Sequence, residues 1–173
     1  MSNSTYTTAA QDAAKIRTEL KSRYGWTSRQ ISVKSDTFSM GSSIDVTIKA
    51  TGIKLADVKA IAEQFDRVRR CEVTGDILGG GNRYVNVQFD WEFLGTLAKR
   101  FELMLDELPI TPSSLSAVHV GEEMFLIGRT GSLQYQVSKI HANQGTDYFP
   151  GAKDKYSVSR VLAQSMAEQG VEV

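Results

Sequence analysis

Ala13, Ile16, Leu20 and Tyr24 recur at helical spacing, and from Ile31 onward the apolar period drops to two. This switch constrains the fold more than any other feature, because a helix face repeats about every 3.6 residues and a strand face every second one. The first stripe predicts a helix over 7–24, with Gly25 placed for a left-handed stop. "RQISVKS" and "SSIDVTIKA" alternate through Ile31, Val33, Ile44, Val46 and Ile48, predicting strands over 29–35 and 43–49 joined by the polar loop "DTFSMGS". Val58, Ile61, Ala62, Phe65 and Val68 return to helical spacing and predict a second helix over 55–69. Two strand-capable arms, 70–78 and 83–90, flank a glycine-rich centre. The expectation is an α+β protein whose first 90 residues form one antiparallel sheet packed by two helices.

Residues 91–173 read as an extension of that core or as a small satellite domain. "WEFLGTLAKRFELMLDELP" sets Phe93, Leu94, Leu97, Phe101, Met104, Leu105 and Leu108 on one broad face, predicting a helix over 92–108 that Pro109 and Pro112 end. "ITPSSLS" is the candidate linker. "AVHV", "MFLIG" and "LQYQVSKI" then read as short strands, "HANQGTDYFPGAKDK" as a long loop, and "SVSRVLAQSMAEQG" as a closing helix with Ser157 as its candidate cap.

Charge and cysteine content narrow the chemistry. The 20 basic and 20 acidic residues cancel, with 13 against 10 in residues 1–90 and 7 against 10 afterwards. General nucleic-acid binders carry a clearer basic excess. The single cysteine, Cys71, forms no internal disulfide, and with only His119 and His141 as other soft ligands no zinc site is expected. No apolar run reaches the length of about 18 residues that spans a bilayer, and the N-terminus lacks the pattern of a secretory signal. The expectation is a cytoplasmic protein without cofactor or metal.

"TGDILGGGNRYVNVQFDW" poses the main chemical question, phosphate cradle or turn. A phosphate loop directs backbone amides at an anion from a helix N-terminus, and its Walker form adds Lys and Ser/Thr. Here Gly79, Gly80 and Gly81 precede Asn82, Arg83 and a strand pattern, so the reading is a strand-connecting turn that binds no nucleotide. Arg67, Arg69 and Arg70 at the end of the second helix, with Arg83, read either as a solvated terminus or as a bidentate surface for phosphate or carboxylate. Phe38 and Met40 at the hairpin loop are candidate partner contacts. No catalytic residue is assigned: the histidines lack a partner pattern, and no GxSxG elbow positions a serine.

"AAKIRTELKSRYG", "SVKSDTFSMGSSIDVTI" and "TGDILGGGNRYVNVQ", in that order, resemble a large polyvalent protein-associated domain found in proteins of phages, plasmids and other mobile elements. The likeness covers about residues 9–90 and departs at "KATGIK", where a Pro-containing link is expected. It implies a setting, a mobile element entering a bacterial cell, and no catalytic residues. For a small, neutral protein in that setting with no visible active site, the expected function is stoichiometric inhibition of a host defence complex, of anti-CRISPR or anti-restriction type. The alternative is a nucleic-acid-binding accessory module that uses the basic face of the first helix and the arginines around residue 70.

Overall fold

The computed structural model of the chain describes residues 7–111, 114–130, 134–141 and 145–171. It is an α+β fold whose strands form two separate sheets. The chain divides into two compact units, one built from residues up to Ala50 with Leu55–Asp90, the other from Thr51–Lys54 with the chain from Trp91 onward.

In the first unit, α1 (Ala9–Tyr24) is capped by Thr8, whose hydroxyl accepts from the Gln11 amide while the Gln11 side chain accepts from the Thr8 amide. Its buried stripe is Ala9, Asp12, Ala13, Ile16 and Leu20. β1 (Ile31–Phe38) and β2 (Gly41–Ile48) form an antiparallel hairpin in which Phe38 pairs with Gly41. The expected seven-residue loop is therefore mostly strand, and only Ser39 and Met40 turn the chain. Ile44, Val46 and Ile48 line one face of β2 and are fully buried, with α1 packed on β1 and β2 and α2 (Leu55–Ala62) packed on α1 and the third strand of the sheet.

Three expectations are corrected here. The second helix stops at Ala62, and a 3-10 turn at Glu63–Phe65 leads into extended chain at Asp66. The reason is a competing partner: Arg67 exchanges two backbone hydrogen bonds with Arg83, of 2.9 and 3.2 Å, which a helix through 69 would forbid. Residues 70–78 form no strand. They make a narrow ribbon closed by the Arg70–Ile77 bridge and a turn from Cys71 to Gly75, and Val73 within it is 91% exposed. Finally, β3 (Asn82–Phe89) joins β2 parallel, giving the order β1-β2-β3. With α2 and the ribbon between them, β2 and β3 have the long crossover that parallel pairing requires.

In the second unit, α3 (Trp91–Glu107) packs against α4 (Lys155–Gln169), and four antiparallel strands follow in the order β4 (Ser116–Val120), β5 (Glu123–Thr130), β6 (Gln134–His141), β7 (Gly145–Tyr148). Val118, Phe125, Ile127 and Val137 from the sheet meet Val158 and Leu162 of α4 and Leu105 of α3 in one core. The expected long loop contains β7. The cap of α4 is Asp154, with Ser157 as the reciprocal member of its capping box. Residues 112–113 of the candidate linker and 142–144 of the expected loop lie outside the described residues. No helix among the described residues is long and apolar enough to cross a membrane.

Candidate functional site

Strand register decides the fate of Arg83. It pairs with Ser42 and shares a face with Val85 and Val87, which lie beside Ile44 and Val46 under the helices. Its guanidinium therefore points into the core, where only 3% of the residue is exposed, and it bonds the carboxylate of Asp12, which is wholly buried. Its other donors reach the Thr7 carbonyl at 2.6 Å and the Ser42 hydroxyl at 3.4 Å. Thr7 Oγ1 donates to Asp12 at 2.8 Å, and Arg67 lies 3.4 Å from the same carboxylate. Arg83 is thus corrected from an exposed contact to an internal one, and Arg67 is half committed to the same cluster. Sequence reasoning passed over Asp12. Its signal was available: Asp12 interrupts the apolar stripe of α1, as Arg83 interrupts that of β3, and two opposite charges breaking two apolar faces point to a buried pair.

The other named residues gather at one end of the first sheet. Arg69 donates to the carbonyls of Gly79 and Gly80 at 3.4 and 3.2 Å, and Arg70 to that of Gly75 at 3.4 Å, so both brace the ribbon while staying exposed. Asn82 joins ribbon to strand: its side chain accepts from the Arg69 amide at 3.0 Å and donates to the Leu78 carbonyl at 2.7 Å. Phe38 lies across Gly41 toward Tyr84, ring centroids 6.4 Å apart, and Met40 reaches the space beside Gly79. Phe38, Met40, Val73, Ile77 and Leu78 are all exposed here, and Tyr24 is the one further large apolar side chain that the described part of this unit exposes.

The glycine segment runs from ribbon to strand. Gly80 and Gly81 have φ of 82° and 72°, and β3, not a helix, follows them, so no helix N-terminus is present to hold a phosphate. The Thr74 hydroxyl, with the Thr74 and Val73 amides, holds the Cys71 thiol below its ordinary value. His119 is exposed, His141 bonds Asp147 at 2.7 Å, and among the described residues no group of three His, Cys, Asp or Glu could hold a metal ion. Compared with protein-family models, with curated proteins and with solved structures, the chain finds no match.

Proposed function

We propose that this chain is an accessory protein of a phage or plasmid that acts by stoichiometric binding, without catalysis, and inhibits a host defence complex of CRISPR or restriction type in the bacterial cytoplasm. The observation that carries the binding reading is the set of exposed apolar side chains on the hairpin tip, Phe38 and Met40, and on the ribbon, Ile77 and Leu78, with Met40 reaching the Gly79 position and the exposed Arg69 bonding the Gly79 and Gly80 carbonyls. Apolar anchors ringed by arginine are the residue types that dominate protein interfaces. The mobile-element setting comes from the three phrases of residues 9–90. On the first helix Lys15 pairs with Asp12, Arg23 with Glu19, and Arg17 bonds the Val33 carbonyl, so the nucleic-acid alternative rests chiefly on the exposed Arg69 and Arg70.

The test is to purify candidate CRISPR and restriction complexes with the tagged full-length chain, with and without nuclease, and to assay their DNA cleavage. The expected result is stoichiometric, nuclease-resistant association and loss of cleavage, both weakened by Phe38→Ser with Met40→Ser. Recovery of nucleic acid alone, with binding that falls steeply as salt rises, would refute the inhibitor reading.

A further inference from the structure

The second sheet breaks its own alternation at one end. Phe125 pairs with Lys139 and Lys139 with Asp147, so all three share the face that carries Ile127 and Val137 toward α4. Charged side chains thus occupy positions where the pattern calls for core residues. They line a cavity of about 450 Å³ between this sheet and α4, with Phe125, Phe149 and Val161 as its apolar wall. A second cavity of about 350 Å³, walled by Tyr148, Phe149, Pro150 and Tyr156, shares Phe149, Arg160 and Val161 with the first.

The acids of the larger cavity already have partners. The Lys139 ammonium and the Ser165 hydroxyl both bond Glu123, His141 bonds Asp147, and the Gln164 amide donates to Glu168 at 2.7 Å. Arg160 is the exception. It is half-buried, lies where the two cavities meet, and its side chain makes no ion pair or hydrogen bond among the described residues. Its guanidinium stays open to solvent, and a planar fork with no protein acceptor is free to take a carboxylate with two parallel bonds. The charge around it sets the valence. Glu123, Asp147 and Glu168 outnumber Lys139 and Arg160, so the surrounding field opposes a multiply charged anion more strongly than a single carboxylate.

We propose that Arg160 anchors the carboxylate of an apolar or aromatic acid whose body lies in the Tyr148–Phe149–Tyr156 cavity. The chemistry is common to a free small acid and to the C-terminus of a peptide ending in an aromatic residue. This site lies in the second unit and does not rest on the inhibitor reading.

The experiment titrates the full-length protein by NMR and calorimetry with 3-phenylpropionate, 3-phenylpropionamide, inorganic phosphate and a hexapeptide ending in a free phenylalanine carboxylate. The acid or the peptide should bind saturably and shift the resonances of Phe149, Tyr156 and Val161, while the amide and phosphate leave them in place. Arg160→Gln should weaken binding by about tenfold or more with an unchanged Tm, and Arg160→Lys should recover only part of the loss. A peptide that binds about tenfold tighter than the small acid assigns the site to a chain terminus, and equal or weaker peptide binding assigns it to a free acid. Equal binding of amide and acid, wild-type affinity in Arg160→Gln, or no saturable shift up to about 10 mM of either carboxylate overturns the proposal.

Discussion

Asp12 and Arg83 are each other's buried partner, and without Arg83 the Asp12 carboxylate keeps, among the described residues, only the Thr7 hydroxyl and the more distant Lys15 and Arg67, at 3.4 Å each. Removing one partner of a buried pair leaves an uncompensated charge, which costs more than the pair itself contributes. We predict that Arg83→Ala lowers unfolding free energy by about 3 kcal/mol or more, and that Arg83→Ala combined with Asp12→Ala costs less than the sum of the single changes. Urea denaturation of the four proteins checks this, and strict additivity would show that the two side chains are not coupled. Asp154 acts at the surface. The Ser157 amide and then its hydroxyl donate to this carboxylate and hold its pKa below the ordinary value. A carboxyl depressed in the folded state stabilises fully above its unfolded pKa of about 4, and the effect is lost as pH falls through the lower folded value. Asp154→Ser keeps a capping oxygen without the charge. The expected outcome is a smaller fall in Tm for that variant than for the wild type between about pH 5 and about pH 2.

Among the elements, the pairing of β2 with β3 depends on a missing side chain. A Cβ on Gly41 would come within 2.5 Å of the Asn82 carbonyl, a backbone atom that moves only if the strand moves, whereas a Cβ on Gly80 meets nothing within 4 Å and suffers only from its φ of 82°. Gly41→Ala should therefore cost about 2 kcal/mol and raise hydrogen exchange along β3, while Gly80→Ala costs about 1 kcal/mol and leaves β3 protected. Equal effects on β3 would contradict this division. What the amino-acid order made legible follows from local physics. α1, α3 and the hairpin strands were readable because their apolar stripes are long and their caps are local, as at Thr8 and Gly25. The parallel direction of β3 was not, because nothing in an alternating strand records which way its neighbour runs. Arg67 and Val68 were misread as helix because the bond that draws them away comes from Arg83, which is distant in sequence. In the candidate site, the exposure of Phe38 and Met40 followed from a polar turn, but the internal place of Arg83 required the register with Ser42.

At the scale of the whole molecule, chain order and compact units do not coincide. Thr51–Lys54 leaves the first unit between β2 and α2 and belongs with residues after Trp91, and its Ile53 is 1% exposed. We predict that Ile53→Ala costs about 3 kcal/mol and loosens Gly121, Glu122 and the end of α4, with α1 and the β1–β2 hairpin unaffected. Hydrogen exchange read residue by residue checks this, and loosening confined to α1 and the hairpin would refute the assignment of Ile53 to the second unit. Gly170, the residue that caps α4, stands so close to the Lys54 amide that a single added carbon would sit 2.9 Å from it. On a ribosome, Lys54 emerges long before Gly170 exists. The second unit therefore cannot close when Thr51–Lys54 appear; it must wait for α4, whose capping Gly170 follows Lys54 by 116 residues (170 − 54), to arrive and dock on that segment.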